Sequence, residues 1–318
     1  MGRNLQMDTV KGLLIICVVL GHVIGNVGGL RNDLLSSKVY DFIYVFHMPL
    51  FIWVSGYFTR WKASWKAFFS GLAAILIPFF IFHCITVAGA LVAGKPFEMR
   101  FITVPGWALW FLLTLAYMRV IIQVLHSALH KWPVLCFCIS VLISIVCGML
   151  PGGHEFSVQR TMHFLPFFLL GYYMGQGVFP QLRFPKWLSI CVILAIVAVL
   201  AFDFLPADYR SLLYGANPYG YERILPKIYL LACSFALSMS VFSLCDSNKL
   251  LADFGQDSMI YYLYHTILIP LMFLPLVNSL NLPASNMIHA VIYTALVFGI
   301  IALMKKLKLF RFLVNPLR

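Results

Sequence analysis

The chain has 318 residues, of which 62% are hydrophobic and only 11% are charged, and its mean hydropathy is +0.90. Soluble domains carry roughly 25% charged residues, so this composition excludes an ordinary soluble protein and predicts an integral membrane protein. The formal net charge of +12 is not concentrated in one soluble stretch. It therefore argues against a nucleic-acid partner and favours contact with the anionic surface of a lipid bilayer.

Ten apolar runs follow one another along the chain, each close to the ~20 residues that a helix needs to cross the hydrocarbon core. Because backbone groups cannot bond to lipid, runs of this length must be helical. No A-x-A-like cleavage site follows the first run, which is therefore predicted to be a retained span. The sequence predicts an all-α integral membrane protein, with about ten transmembrane helices in one bundle and a single domain over 1–318. The predicted spans are 10–27, 40–58, 67–93, 104–125, 133–150, 161–179, 187–206, 224–244, 258–278 and 286–306.

The first run, MDTVKGLLIICVVLGHV at 7–23, has a lysine at its mouth and a histidine near its far end. The spacing of Lys11 and His22 places them within about 20° of one helix face and ~16 Å apart along the axis. Polar groups at membrane depth usually face a bundle interior or a cavity. On spacing alone, a structural histidine bonded to a neighbouring helix and a functional histidine are equally good interpretations.

The second run, YVFHMPLFIWVSGYF at 44–58, contains a histidine that matches the first one in depth. A rise of ~1.5 Å per residue from the outer ends puts His47 and His22 at a similar level. Other polar and aromatic residues predicted near the outer ends of their spans are His83, His163, His289, Trp107, Trp110 and Arg160. This concentration predicts a polar chamber, although interfacial belts also attract tryptophan. His265 is predicted to lie instead in the inner half of the ninth span.

The eight cysteines fall mainly in the predicted spans and show no CxxC pairing. They are interpreted as small buried apolar residues. Neither a metal site nor a permanently bound cofactor is predicted.

Four segments in order resemble motifs of the membrane-bound acyltransferase 3 family. MDTVKGLLIICVVLGH is similar to the start of the family, a basic residue followed after ten residues by histidine. FHMPLFIWVSGYF, GWALWFLLTL and FGQDSMIYYLYH resemble its second-helix motif, its Trp-Phe-containing span and its late Gly-x-x-Ser run ending in histidine. Within the family, the chain looks most like the fucose 4-O-acetylase-related branch. The features that carry this likeness are lysine at position 11, the preceding Asp8, the Phe-His-Met-Pro string and RTMHFLPFFLLGYYMG at 160–175. The resemblance covers about residues 7–275.

The resemblance implies a multi-pass protein of the cell (inner) membrane that transfers an acyl group, usually acetyl. The donor would be cytoplasmic acetyl-CoA or another acyl-CoA, and the acceptor a hydroxyl of an envelope sugar, glycan or glycolipid. By family analogy His22 is the general base, since a neutral imidazole can take the hydroxyl proton during attack on the thioester. His47 is the second catalytic candidate.

The other candidate residues would bind substrate. Lys11 would neutralise CoA phosphate, while His47, Ser55 or Arg160 would donate to the oxyanion. Trp110 is a candidate acceptor platform and His265 a further candidate from the late motif. Two structural alternatives stay open: Ser55 beside Gly56 permits close helix packing, and Trp110 is an interface anchor.

One expected feature is missing from the chain. Relatives often carry an Arg-x-x-Arg pair shortly before a hydrophobic-Pro string, but here no basic residue immediately precedes SGLAAILIPFF. The nearest are Arg60, Lys62 and Lys66. Either these residues replace the pair from farther away, or donor binding differs in this branch.

The rival class is a secondary transporter or glycan flippase, because intramembrane histidine, lysine and arginine also suit a proton-coupled carrier. Such carriers usually contain two related halves, and no convincing match joins 1–150 to 151–318. A third class, a non-catalytic scaffold, has no use for the face that runs from Lys11 to His22.

The first testable prediction concerns topology. With ten spans and a cytoplasmic N-terminus, 15 of the 23 basic residues lie inside, so the positive-inside rule predicts that both termini are cytoplasmic. These residues are Arg3, Lys11, Arg60, Lys62, Lys66, Arg119, Lys131, Arg183, Lys186, Lys249, Lys305, Lys306, Lys308, Arg311 and Arg318. Single cysteines introduced at 151–160 and 207–223, with the native thiols replaced, should react with an impermeant reagent from outside. Labelling of 207–223 only from the cytoplasm would contradict the topology.

Overall fold

The computed structural model describes residues 4–206 and 208–317, and all regular secondary structure in these ranges is helical. Arg3, Ala207 and Arg318, which enter the topology prediction, lie outside the described residues. The α-helices are α1 Leu5–Asn26, α2 Leu34–Phe58, α3 Trp65–Val92, α4 Arg100–Thr103, α5 Trp110–Val124, α6 His126–Lys131, α7 Pro133–Val146, α8 Val158–Gly175, α9 Lys186–Ala201, α10 Tyr209–Tyr214, α11 Ile224–Leu244, α12 Lys249–Gln256, α13 Ser258–Ile267, α14 Leu274–Ser279, α15 Met287–Met304 and α16 Lys308–Val314. Short 3-10 turns cover Leu30–Asn32, Trp107–Leu109, Cys147–Met149, Glu155–Ser157 and Tyr221–Arg223, and a π-helical turn covers Leu268–Phe273.

Within the described ranges, seven helical segments are long and apolar enough to cross a membrane. They are Leu5–Asn26, Leu34–Phe58, Trp65–Val92, Trp107–Val124, Tyr221–Leu244, Ser258–Ser279 and Met287–Met304, and each coincides with a predicted span. Pro133–Met149 and Lys186–Ala201 are shorter apolar helices, and α8 is not among the seven. The count of about ten and the cytoplasmic termini therefore stay predictions.

Two of the polar connections between apolar runs end in a residue whose side chain caps the helix that follows. The stretch GNVGGLRND ends at Asp33, whose carboxylate accepts the Ser36 N–H at 2.9 Å. NSLNLPASN ends at Asn286, which accepts the Ile288 N–H at 3.1 Å. Such caps satisfy N–H groups that a helix start leaves free, so α2 and α15 begin at these residues.

The centre of the bundle is a close contact between α2 and α8. A Cβ atom on Gly56 would lie 2.1 Å from the Phe168 carbonyl oxygen, and one on Gly171 would lie 2.0 Å from the Trp53 carbonyl oxygen. Only glycine allows the two backbones to approach this far. Ser55 immediately precedes Gly56, which agrees with the alternative interpretation that Ser55 stands where two helices pack closely.

A second close contact joins the two ends of the chain, where α12 crosses α1. A Cβ atom on Gly12 would lie 1.8 Å from the Leu251 carbonyl oxygen, and one on Gly255 would lie 1.8 Å from the Asp8 carbonyl oxygen. The Thr9 hydroxyl also accepts the Asn248 N–H at 2.9 Å. These contacts fix the level at which α13, the next helix, starts beside α1.

The cysteines are less buried than expected. Cys84, Cys138 and Cys191 are exposed, while Cys147 is buried. The interpretation of the cysteines as buried residues is therefore wrong for these three. Each lies on an apolar helix, and a lipid-facing surface accepts a small apolar side chain without protein burial.

The α1–α12 contact gives the second prediction. Replacing Gly255 by alanine forces its Cβ into the Asp8 carbonyl, and overpacking of this kind typically costs about 1–3 kcal/mol. The purified G255A protein should therefore melt at a lower temperature than wild type. Gly299→Ala is the matched control, because a Cβ on that helical glycine meets nothing within 4 Å. Equal melting temperatures for both variants would contradict the close contact.

Candidate active site

A cavity of about 270 Å³ lies between α1, α2, α8 and the start of α5, and we call it the histidine chamber. His22, His47, Trp110 and Arg160 line it together with Trp107 and Tyr262. The expectation that the first two histidines lie at one level with these tryptophans and this arginine is confirmed. His83, His163 and His289 do not line the chamber, so this part of the expected cluster is wrong.

His22, which lines the chamber, forms a histidine pair with His265 of α13. His265 Nε2 lies 3.0 Å from His22 Nδ1, and the two rings stack with centroids 4.9 Å apart. His265 is fully buried and His22 is partly exposed to the chamber. The prediction that His265 lies at a different level from the chamber histidines is therefore wrong, since it contacts His22 directly.

The partners of the pair assign the proton positions. His265 Nδ1 lies 3.1 Å from the Tyr261 carbonyl oxygen, which can only accept, so this nitrogen carries a proton. In a neutral ring Nε2 then has none and accepts the proton of His22 Nδ1. His22 Nε2 is left with its lone pair.

Trp107 covers the pair from a strained position. Its ring centroid lies 4.7 Å from that of His22, and its backbone has φ of 44°, which is unfavourable for a bulky residue. The preceding loop is fixed by His83, which accepts the Gly106 N–H at 3.1 Å and donates to the Phe101 carbonyl at 2.7 Å. His83 therefore positions this loop instead of lining the chamber.

His47 faces the chamber from α2, where its side chain is almost fully buried. Nδ1 lies 2.7 Å from the Ile43 carbonyl oxygen, so this nitrogen also carries the proton. The Nε2 atom of a neutral His47 is consequently an acceptor. It can bind a hydroxyl, but it has no proton to offer an oxyanion.

Arg160 brings a cation into the chamber. Its guanidinium lies over the Trp110 ring at 4.7 Å, and Nη2 donates to His154 Nδ1 at 3.0 Å. Burial, followed by the charge of Arg160, lowers the pKa of His154, which suits its role as an acceptor here. Arg160 Nε is buried and has no hydrogen-bond partner.

A second cavity, of about 320 Å³, lies toward the start of α1, and we call it the basic cavity. Lys11, Ser55 and Arg119 line it, and Arg119 also lines an adjoining cavity of about 250 Å³ with Arg60 and Lys62. Sequence reasoning did not select Arg119 as a site residue, although its place on an apolar helix was a usable signal. Lys66, the third suggested replacement for the missing arginine pair, lines neither cavity.

Two of the candidate residues from the sequence, Lys11 and Ser55, contact groups on their own helices. Lys11 Nζ lies 2.7 Å from the Asp8 carboxylate. The Ser55 hydroxyl donates to the Phe51 carbonyl at 2.9 Å. Because Ser55 lines this cavity and not the histidine chamber, it does not lie with His22 as an oxyanion donor would.

Tyr262 separates the two cavities and lines both. Its side chain is buried, and its hydroxyl donates to the Ala108 carbonyl at 2.6 Å. Sequence reasoning missed this residue, which stands three positions before His265 in the late motif.

A helical segment near the chamber, α10, is held from two sides. Arg210 donates to both carboxylate oxygens of Asp41, at 2.7 and 2.8 Å, and this pairing raises the pKa of Arg210. On the other side, buried Lys227 lies 2.6 Å from His163 Nδ1 and donates to the Leu212 carbonyl at 2.9 Å. His163 thus helps to fix α10, whose Leu213 and Tyr214 line the chamber.

The fold and these cavities define a helical protein with membrane-length helices and two cavities that share one aromatic residue, Tyr262, in their linings. The acyltransferase domain profile matches residues 4–306. The chain belongs to the acyltransferase 3 family.

Two curated relatives are similar to part of this chain. Nodulation protein NolL of Sinorhizobium fredii is 29% identical over 215 residues, which cover 60% of this chain and 56% of that protein. Nodulation protein NolL of Mesorhizobium japonicum is 27% identical over 244 residues, which cover 70% of this chain and 60% of that protein. The matches thus span less than two thirds of either relative. No solved structure gives a significant match.

Proposed function

We propose that this protein is a membrane O-acyltransferase that transfers an acyl group, in the first place acetyl, from acyl-CoA to a sugar hydroxyl. The observation that carries the proposal is that two unlike cavities share Tyr262 in their linings, one with Lys11 and Arg119 and the other with His22, whose Nδ1 is bonded to His265. Family membership supports acyl transfer over the transport alternative. The proposed location is the cell (inner) membrane.

The basic cavity is the proposed donor site. CoA carries several phosphate charges, and Lys11, Arg119 and Arg60 gather cations around one connected space. Lysine and arginine are the usual phosphate partners in proteins. The pantetheine arm would extend past Tyr262, so that the thioester reaches the histidine chamber.

The histidine chamber is the proposed acceptor site. The acceptor hydroxyl gives its proton to His22 Nε2 while its oxygen forms a bond to the thioester carbonyl carbon. The carbon–sulfur bond then breaks, and CoA leaves as a thiol after it takes up the proton. His265 would keep the proton of His22 on Nδ1 and stabilise the imidazolium, as the orienting partner of a catalytic histidine does.

His47 receives a different role from the one that the sequence suggested. Because its Nδ1 donates to the Ile43 carbonyl, a neutral His47 cannot donate to the oxyanion. We propose that its Nε2 accepts a hydrogen bond from an acceptor hydroxyl and so helps to orient the sugar. Trp107 would provide a flat surface for the sugar ring, whereas the Trp110 ring already packs against Arg160 and Phe164.

The general test is chemical. Purified protein should release free CoA from acetyl-CoA in the presence of a sugar acceptor, and mass spectrometry of envelope glycans from a deletion strain should show a missing acyl group. Movement of a glycan across vesicles without any bond change would instead support a flippase.

The third prediction concerns the general base. His22→Ala should lose about 10²–10⁴-fold in kcat, the usual contribution of such a base, which corresponds to ~3–5 kcal/mol. His22→Gln keeps a hydrogen bond but cannot take the proton, so it should fail nearly as badly. His289→Gln, a histidine outside both cavities, is the matched control. Near-normal acylation by His22→Gln at wild-type melting temperature would contradict the assignment.

The fourth prediction concerns the orienting histidine. His265→Leu removes the acceptor for the His22 Nδ1 proton and should lower kcat about 10–100-fold, as the loss of a supporting partner does at other histidine sites. His265→Gln offers an amide oxygen in its place and should recover part of kcat. The KM for acyl-CoA should stay unchanged in both variants. Equal activities of the two variants would show that the hydrogen bond has no catalytic role.

The fifth prediction concerns donor binding. Lys11→Ala and Arg119→Ala should each raise the KM for acyl-CoA about tenfold or more, because a hydrogen bond to a charged group contributes about 1.5–3 kcal/mol. Their kcat values should change less, since ground-state binding is lost. Lys11→Arg should retain most activity, and Lys66→Ala is the control outside the cavities. An unchanged KM in both alanine variants would exclude the basic cavity as the donor site.

A further inference from the structure

The charge of Arg160 has no counterpart in the histidine chamber. No aspartate or glutamate among the described residues lines this cavity, and Arg160 forms no ion pair with them. Of the nearby acids, Asp41 is already engaged by Arg210 and Asp203 by Lys38. An unpaired cation at this depth is costly, so an anionic partner from outside the chain would stabilise it.

The geometry of Arg160 leaves room for such a partner. A guanidinium has five N–H donors in a planar fork, and among the described residues Arg160 makes one side-chain hydrogen bond, to His154. The buried Nε atom is without a partner, and a buried unsatisfied donor typically costs about 1–3 kcal/mol. Trp110 holds one face of the fork at 4.7 Å. Arg160 is thus oriented and still has donors to offer.

A second arginine adds positive charge near the histidine chamber. Arg31 lies over the ring of Tyr40 at 4.5 Å, and Tyr40 lines the chamber. The other charged and titratable groups of the lining are the histidines and tyrosines, with no acidic side chain among the described residues. The chamber therefore favours a negatively charged group over a neutral one.

The size of the chamber limits the bound group. Its volume of about 270 Å³ is slightly below the roughly 300–1,000 Å³ typical of ligand pockets. It accommodates one sugar-sized group better than an oligosaccharide. The rings of Tyr44 and Tyr214 supply apolar surface for such a group.

We propose that the acceptor carries an anionic oxygen group next to the acylated sugar, either a carboxylate or a phosphate, and that Arg160 binds it. This inference rests on the proposed function, because it assigns the histidine chamber to the acceptor. It makes Arg160 the residue that selects charged acceptors. A carboxylate would come from an acidic sugar, and a phosphate from a sugar linked through phosphate.

The test measures binding without acyl-CoA. Purified protein in lipid nanodiscs is titrated by calorimetry with methyl glucuronide, glucose 1-phosphate and methyl glucoside. At least one anionic probe should bind about 10- to 100-fold more tightly than methyl glucoside, the range expected for a charge-assisted hydrogen bond. The tighter of the two anionic probes identifies the source of the charge.

Variants assign the preference to one residue. Arg160→Gln should abolish the preference and leave the affinity for methyl glucoside unchanged, whereas Arg160→Lys should retain part of it. Arg183→Gln, an exposed arginine on another part of the protein, should behave as wild type. Melting temperatures of all variants show whether they are folded, and a destabilised Arg160→Gln is replaced by the lysine variant in the comparison.

Two results would overturn the inference. Equal affinity of wild type for the neutral and the anionic probes would show that the chamber does not select charge. A loss of kcat in Arg160→Gln for every acceptor, with binding unchanged, would make Arg160 an oxyanion donor instead. If the anionic preference depends on Arg160 but acyl-CoA is not consumed, only the proposed function fails.

Discussion

The contact between α1 and α12 determines how the two chain ends meet, and the site depends on that meeting. Gly12 and Gly255 each lie against a backbone carbonyl of the other helix, so neither helix can slide without a collision. The chain then turns into α13 and carries His265 to within 3.0 Å of His22. A site built from residues 243 positions apart thus depends on two positions that have no side chain.

The same arrangement separates the tasks of the site in space. Cations gather around Lys11 and Arg119 at one end, whereas the histidine pair and Arg160 lie beyond Tyr262. Keeping Lys11 and Arg119 away from the histidines has an electrostatic advantage, because every nearby cation disfavours protonation of an imidazole and Arg160 already lies in the histidine chamber. The histidine that is proposed to accept a proton is better placed at a distance from the further charges that are proposed to bind phosphate.

The fold was largely readable from the sequence, because apolar runs of membrane length leave little choice but helix. The site was readable only in part. Depth counting placed His22, His47 and Arg160 together correctly, yet it separated His265 from them. The count ran from the outer ends of the spans as if these ends were level, whereas at the other end Ser258 lines the same cavity as Lys11. From that shared level the two histidines differ by four residues, or ~6 Å, which two side chains can bridge.

The positions of Ser55, Arg119 and Tyr262 could not be predicted from the sequence for a different reason. Ser55 stands about two helical turns from Met48, the nearest residue on α2 that lines the histidine chamber, and it lines the basic cavity instead. Arg119 and Tyr262 carry no motif of their own, and only the packing of α5 against α13 shows that they border a cavity. Periodicity predicts which face of a helix is buried, but not which of two cavities that face meets.

The placement of Tyr262 between the two cavities has a consequence for the energetics of the proposed reaction. The hydroxyl proton is taken up in the histidine chamber, and the CoA thiol that finally carries it leaves through the basic cavity. If the cavities open to opposite faces of the membrane, each turnover carries one proton toward the cytoplasm and one acyl group the other way. The charges on CoA and on the acceptor are the same before and after the reaction, so no net charge crosses the bilayer. The proposed transfer is therefore electroneutral, and a membrane potential, which acts only on charge that moves, neither drives nor opposes it.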